Sequence, residues 1–208
     1  ILTTPFHVKL PYNFSRGGHD GQSYQATQWY PKPAVYDSKG WHPMPYLDQG
    51  EFYSEFGSFD VSITVPQNYV VAATGDLQNA VEKEWLKTRS SYTWEPIKIK
   101  EKTTGGQIKT RYQLFPESAI QSKTLQYKQS NVHDFAWFAD KRFIVNYDTC
   151  RLTSGKVIDV YSYYTPSHKT TWDKSVNYSK DAVHHYSGLV GEYPYNVISV
   201  VQGPESFG

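Results

Sequence analysis

Alternation of apolar and polar residues dominates the first three quarters of the chain and predicts strands. Residues 59–65 alternate up to Pro66, which stops a strand because proline lacks a backbone N–H. A second apolar stretch, residues 69–74, ends at Gly75, which begins a typical turn pair. Both patterns favour short strands that are separated by turns.

A hairpin is predicted around the double glycine at positions 105 and 106. Ile97 and Ile99 alternate with lysines, and residues 108–114 continue the alternation on the far side of the glycines. Further strand signals are Leu125 with Tyr127, the apolar and aromatic run 135–147, and residues 157–164. Residues 79–88 predict either one or two helical turns or an exposed loop.

The pattern changes from period two to helical spacing after Pro166. Thr170 and Asp173 have the spacing of a capping box, with aspartate in place of the usual glutamate. The residues that recur at helical spacing are Trp172, Val176, Val183, Tyr186 and Val190. Gly191 and Pro194 end the pattern, and residues 197–201 predict a further strand.

These elements predict a mainly β fold in two parts. Residues 1–150 are expected to form an antiparallel saddle-like or sandwich-like β-domain. Residues 151–208 are expected to open an α/β domain as strand, helix and strand. Because the sequence stops shortly after a predicted strand, we expect it to be a segment of a longer protein.

Charge and composition exclude some classes of partner. The 21 basic and 20 acidic residues nearly cancel, so we expect no nucleic-acid partner, and no apolar stretch is long enough to predict a membrane span. The 18 tyrosines, six tryptophans and ten phenylalanines favour sheets with half-exposed faces, which pack or bind sugars or peptides. Cys150 is the single cysteine, so there is no internal disulfide, and we expect a small buried thiol.

Residue chemistry alone predicts no complete active site. No histidine is followed by glutamate, so the zinc motif H-E-x-x-H is absent. His184 and His185 are neighbours on the predicted helix and face about 100° apart, which favours surface positions over shared metal binding. His133 and Asp134 could form a charge-oriented pair, although no nucleophile signature accompanies them. The glycine-rich residues 15–21 lack the Gly-Lys-Ser/Thr ending of a phosphate loop and predict a turn.

Several segments, in order along the chain, resemble the thermolysin-like zinc aminopeptidases, the family of aminopeptidase N and leukotriene hydrolase, and in particular its bacterial branch. The matching segments are T-Q-W-Y-P at 27–31, G-W-H-P-M-P-Y at 40–46, G-E-F-Y at 50–53, V-V-A-A-T-G at 70–75, N-V-H-D-F-A-W at 131–137 and Q-G-P-E-S-F-G at 202–208. These segments run in order across nearly the whole chain.

The resemblance implies a function and a small set of site residues. Residues 1–150 would be the later part of the family's N-terminal β-domain, and 151–208 the truncated beginning of its catalytic domain. Gln28 would line the first substrate pocket, and Phe207 and Gly208 would form its wall. Tyr30 falls where many members carry a glutamate that binds the substrate amine, and a neutral phenol cannot supply that charge.

The resemblance also implies a cofactor and partners. The full-length parent would bind zinc and hydrolyse peptide bonds, whereas this segment would hold no zinc ligand, bind no zinc and be inactive alone. Its partners would be a peptide substrate and the missing remainder of the catalytic domain. The bacterial branch suggests a periplasmic, cell-envelope or secreted location.

An alternative from another class is a non-catalytic β-sandwich module that binds glycans or proteins. This hypothesis predicts a row of exposed aromatic rings on one sheet face. Burial of Trp29, Trp41 and Trp137 would count against it.

Overall fold

The protein is mainly β, as its pattern predicts. The computed structural model describes residues 1–13, 16–45 and 52–203, with 41% of the residues in strands and 18% in helices. The strands are β1 (Gly18–Asp20), β2 (Ser23–Ala26), β3 (Val35–Asp37), β4 (Gly40–His42), β5 (Gly57–Pro66), β6 (Val70–Ala73), β7 (Asp76–Leu77), β8 (Ile97–Lys102), β9 (Ile108–Gln113), β10 (Ser122–Val132), β11 (Trp137–Asp140), β12 (Ile144–Arg151), β13 (Val157–Tyr164) and β14 (Val197–Val201). The helices are α1 (Ala80–Lys87), α2 (Lys169–Trp172) and α3 (Ser175–Val190), with short 3₁₀ turns at Thr88–Ser91 and Pro166–His168.

Within the described residues, the β structure consists of three sheets and two hairpins. A four-stranded antiparallel sheet has the order β1-β2-β11-β6, and a three-stranded antiparallel sheet has the order β5-β10-β7. In the third sheet, β12 pairs antiparallel with β13, and β13 pairs parallel with β14. The hairpins are β3-β4 and β8-β9.

Most predicted strands are confirmed at their expected positions. β5 ends at Pro66, and the hairpin β8-β9 turns over the predicted double glycine. Residues 79–88 adopt the helical alternative as α1. The apolar run 135–147 is divided between β11 and β12 by a turn, and residues 18–20 form strand β1 where the glycines predict only a turn.

One large apolar core joins the first two sheets and one side of the third sheet. Its fully buried members include Val70 and Val71 of β6, Phe135 and Val145. A second, smaller core lies between the third sheet and α3, where Ile158 and Val160 pack against Val176 and Val183. Cys150 belongs to this core and is 1% exposed, which confirms the expectation of a buried thiol.

The strand–helix–strand unit is formed by β13, α3 and the parallel strand β14, but the predicted capping box is wrong. Thr170 lies inside α2, and the chain turns at 173–174 before α3 begins. The Asp173 carboxylate instead accepts a hydrogen bond from Lys169 Nζ at 2.7 Å and one from the Tyr164 hydroxyl at 3.2 Å. Neither α2 nor α3 has a side-chain hydrogen bond at its N-cap. Although the apolar spacing correctly predicts the helix, Tyr186 and Val190 on α3 are exposed.

The predicted domain boundary falls within β12, which pairs with β13 over its whole length. The division of the chain at residue 150 therefore stays a prediction. Among the described residues, no helix combines the length and the apolar character that crossing a membrane requires.

Candidate functional site

The pairing of β2 with β11 brings together two segments that lie more than one hundred residues apart in the sequence. Ala26, the last residue of β2, pairs with Trp137, the first residue of β11. Because the strands are antiparallel, residues 27–32 and residues 131–136 leave the sheet at the same end. The candidate site forms where these two segments meet.

Asp134 is the centre of this site, and we call its polar partners the Asp134 cluster: Gln28, Tyr30 and Lys32. The Tyr30 hydroxyl donates to Asp134 Oδ1 at 2.9 Å, and Gln28 Nε2 donates to Asp134 Oδ2. Lys32 Nζ lies 2.8 Å from the same Oδ2 and forms an ion pair with it. The backbone N–H of Phe135 donates to Oδ1 at 2.8 Å. The carboxylate is therefore fully engaged by four donors.

The backbone of residues 28–30 is shaped to point these side chains inward. Gln28 has a φ of +51°, in the left-handed region that is uncommon for residues other than glycine. The Trp29 indole N–H donates to the carbonyl oxygen of Phe135 at 2.9 Å and anchors the segment to the opposite strand. The left-handed residue lies between β2 and this anchor, and its side chain donates to Asp134.

An aromatic layer supports the Asp134 cluster from behind. The rings of Tyr30 and Phe59 lie 5.7 Å apart, and those of Phe59 and Phe135 lie 5.8 Å apart. Burial, with the hydrogen bond to Asp134 as the next cause, raises the pKa of Tyr30 well above its ordinary value. The phenol is therefore a neutral hydrogen-bond donor throughout the physiological pH range.

A cleft of about 410 Å³ adjoins Lys32 and contains a second polar group that the sequence did not single out. His42 Nε2 lies 2.8 Å from Asp37 Oδ1, and the Tyr53 hydroxyl donates to Asp37 Oδ2 at 3.2 Å. The hydrogen bond from His42 is the main cause that lowers the pKa of Asp37. The β3-β4 hairpin creates this group, because Asp37 pairs with Gly40 across its turn and His42 follows on β4.

The structure describes two of the four substrate-binding residues that the sequence predicted. Gln28 and Tyr30 lie together in the Asp134 cluster, whereas Phe207 and Gly208 lie outside the described residues. His133 points away from Asp134, since its Nδ1 lies 3.0 Å from the carbonyl oxygen of Ser54. The charge-oriented pair that the sequence left open is therefore not formed, and Asp134 is instead bound by Gln28, Tyr30 and Lys32.

The histidines of α3 occupy exposed positions, as predicted from their spacing. His184 and His185 are both exposed, and His184 Nε2 lies 3.3 Å from the sulfur of Cys150. In the part of the chain that the structure describes, no three histidine, cysteine or acidic side chains group in a way that could hold a metal ion.

Comparison with known proteins does not identify a family. No family model matches the chain, and no curated protein is significantly similar to it.

Proposed function

We propose that this chain is part of a zinc metallopeptidase of the aminopeptidase N class, in which it forms one wall of the peptide-binding cleft. The supporting observation is a spatial one. Three segments that carry the sequence resemblance, at 27–31, 70–75 and 131–137, become neighbours around β2, β11 and β6 of one sheet. Chance matches scattered along the chain would not be expected to lie together at one end of a sheet.

The chemistry of this wall favours hydrogen bonding over charge pairing with a substrate amine. The carboxylate of Asp134 is already paired with Lys32, and Tyr30 is a neutral donor. A free ammonium would therefore find no unpaired negative charge in this cluster. We propose that the Asp134 cluster contacts the peptide through the oxygen atoms of the Gln28 amide and the Tyr30 phenol, since their N–H and O–H groups are already donated to Asp134.

The zinc of the proposed peptidase would be held by residues outside this chain. When bound, zinc in such enzymes activates a water molecule for attack on the peptide bond. The role proposed for this chain is to bind and orient the peptide. The 208-residue chain alone is expected to bind no stoichiometric zinc and to hydrolyse no peptide.

The decisive experiment uses the complete reading frame to which the chain belongs. An H-E-x-x-H motif downstream of Gly208, one zinc per protein by mass spectrometry, and chelator-sensitive hydrolysis of aminoacyl-nitroanilides or internally quenched peptides are expected. Gln28→Ala should raise KM, whereas Gln107→Ala, on the exposed hairpin turn, should leave KM unchanged. Absence of the motif and of zinc would overturn the proposal and favour a non-catalytic protein.

A second candidate function is a glycan-binding module, and one pair of rings favours it. Tyr36 and Trp41 face each other across the β3-β4 hairpin, 4.9 Å apart, and are 65% and 68% exposed. Trp29 and Trp137, in contrast, are half-buried. A glycan array that is positive for the chain and blank for Trp41→Ala would support this function, and a blank array for the unchanged chain would reject it.

A further inference from the structure

The β8-β9 hairpin has two open edges. It forms a sheet of its own, and no other described strand pairs with β8 or with β9. All of its strand residues are exposed except Ile99 and Gln113, which are half-buried. An open edge presents a row of backbone N–H and C=O groups to which another extended chain can add. The hairpin shares no residue with the Asp134 cluster.

The hydrogen bonds at the turn determine which residues of β8 face its open edge. The Thr103 N–H donates to the carbonyl oxygen of Gln107 at 2.8 Å, so these two residues form a hydrogen-bonded pair. Hydrogen-bonded and non-hydrogen-bonded pairs alternate along an antiparallel ladder. In this register, Lys102, Lys100 and Lys98 belong to non-hydrogen-bonded pairs. Their backbone N–H and C=O groups therefore point away from β9, to the open edge.

The side chains of the same three residues form a row of positive charge, which we call the lysine row: Lys98, Lys100 and Lys102. Alternate residues of a strand share a face, so the three ammonium groups project from one face at intervals of about 6.8 Å. All three residues are exposed, and none of them forms an ion pair with a described residue. The residues paired with them on β9 are uncharged: Ile108, Thr110 and Tyr112.

The opposite face of β8 differs in character. It carries Ile97, which is 47% exposed, and the half-buried Ile99, followed by Glu101. The Glu101 carboxylate is already engaged, because Arg111 Nε lies 2.5 Å from its Oε1 and Lys109 is its partner across the ladder. A strand lying beside β8 would therefore meet unpaired positive charge on one face and mainly apolar side chains on the other.

An antiparallel strand that adds to β8 has a defined pattern. Its residues opposite the lysine row would form hydrogen-bonded pairs with it, with Cα atoms about 5.5 Å apart and side chains on the same face. Acidic residues fit these positions, and β-branched residues fit the positions between them, beside Ile97 and Ile99. We propose that the open edge of β8 binds an extended acidic segment of a partner protein, with acidic and apolar residues in alternation.

The lysine row also discriminates against other occupants. Lysine on an open edge protects against edge-to-edge association, because two copies of β8 would bring like charges together. The same charges attract an acidic strand, so one feature rejects a second copy and selects the partner. A nucleic acid or a sulfated glycan would pair with the ammonium groups but not with the edge, since its backbone lacks the alternating N–H and C=O groups of a strand.

The test is binding of a labelled, blocked peptide to the 208-residue chain, followed by fluorescence polarisation. The peptide has three glutamates at alternate positions, with valine or threonine between them. Saturable binding that weakens with added salt is expected. The combined variant Lys98→Gln, Lys100→Gln and Lys102→Gln should weaken binding by about tenfold, since each exposed cross-strand ion pair contributes about twofold.

A charge-matched variant separates the lysine row from the net charge of the protein. Lys9→Gln, Lys39→Gln and Lys174→Gln, combined in one chain, remove the same charge at exposed positions outside the hairpin. This variant should retain binding. Equal weakening in the two triple variants would overturn the proposal, because the peptide would then respond to overall charge alone.

Two N-methylated peptides separate strand addition from charge attraction. Methyl groups on the glutamate nitrogens would face β8 and should abolish binding, whereas methyl groups on the intervening residues would point away and should be tolerated. Hydrogen exchange gives a second readout, since bound peptide should protect the amides of Lys98, Lys100 and Lys102.

The remaining outcomes also decide the question. Equal affinity of the two methylated peptides, or no added protection of the lysine amides, would contradict strand addition. Tighter binding of a single-stranded oligonucleotide or a heparin-derived oligosaccharide of equal charge would assign the lysine row to a polyanion instead. The absence of any saturable binding would show that the row only protects the edge, and the proposal would fail.

Discussion

At the scale of single residues, Asp134 connects parts of the chain that are remote in sequence. Its carboxylate is 27% exposed, and the Lys32 side chain paired with it is 19% exposed. An ion pair in this position is less screened than a surface pair, and the aspartate also accepts hydrogen bonds from Tyr30 and Gln28. The cluster should therefore stabilise the fold as well as shape the proposed cleft.

Asp134→Asn should lower the free energy of unfolding by about 1–3 kcal/mol, because Lys32 loses its counter-charge while it stays largely buried. Urea unfolding followed by tryptophan fluorescence measures the change. In the Lys32→Met background the same substitution should cost less, since no ammonium is then left unpaired. Asp60→Asn is the control, because its pair with Lys128 is about half exposed and should contribute under about 1 kcal/mol. Equal costs for Asp134→Asn and Asp60→Asn would contradict the role of Asp134.

At the scale of elements, the turn between β6 and β7 determines how two sheets meet. Gly75 has a φ of +90°, and it follows β6 of the four-stranded sheet and precedes β7 of the sheet β5-β10-β7. A Cβ at this position would lie 2.5 Å from the carbonyl oxygen of Lys128 and 2.7 Å from the Gln129 Cβ. Both the left-handed conformation and the lack of space therefore require glycine.

Gly75→Ala should destabilise the protein by more than about 2 kcal/mol, since conformational strain and backbone overlap add. Gly106→Ala provides a matched control, because Gly106 has a φ of +79° in the turn of the β8-β9 hairpin but nothing lies within 4 Å of its Cβ position. The control should cost about 1–2 kcal/mol from strain alone. Thermal and urea unfolding of both variants give the comparison, and equal losses would show that the space around Gly75 is unimportant.

At the scale of the whole molecule, local patterns located most strands but not the long-range contacts. Period-two alternation predicted β5, β8 and β9. β5 alternates between more and less buried residues, whereas the hairpin strands β8 and β9 alternate in sequence although they are almost wholly exposed. The three-residue strands β1, β3 and β4 are too short for a period to be recognised. The turn that divides the run 135–147 falls on the charged residues Asp140, Lys141 and Arg142, of which Asp140 and Lys141 are buried.

Lys141 shows why the burial of such a charged turn cannot be predicted from local pattern. It is 1% exposed, and its ammonium donates to Gln22, Pro116 and Ser118. These partners lie more than twenty residues away, so hydropathy along the chain carries no trace of them. Local pattern also does not report the long-range contacts of the candidate site. Gln28 and Tyr30 were expected as site residues from the resemblance, but both reach Asp134 only because β2 pairs with β11.

Because many tyrosines are buried or half-buried, the free energy of unfolding should depend on pH in the alkaline range. Burial raises the pKa of Tyr69, Tyr147 and Tyr193 to about 12, and that of the fully buried Tyr163 well above its ordinary value. In the unfolded chain these phenols ionise near pH 10. A raised pKa in the folded state means that the stabilisation is fully present below about pH 10 and is lost as the pH rises towards about 12.

The free energy of unfolding should therefore be insensitive to these tyrosines at pH 8–9 and should fall steeply between about pH 10 and pH 12. Urea midpoints across this range give the stability, and absorbance at 295 nm gives the tyrosinate content. Ionisation of the buried phenols should coincide with unfolding, since the folded protein excludes their charged form. Tyr69→Phe should make the alkaline loss shallower, whereas Tyr112→Phe, at a residue that is 56% exposed, should leave it unchanged. Complete tyrosinate formation in a protein that still unfolds cooperatively with an unchanged urea midpoint would contradict this account.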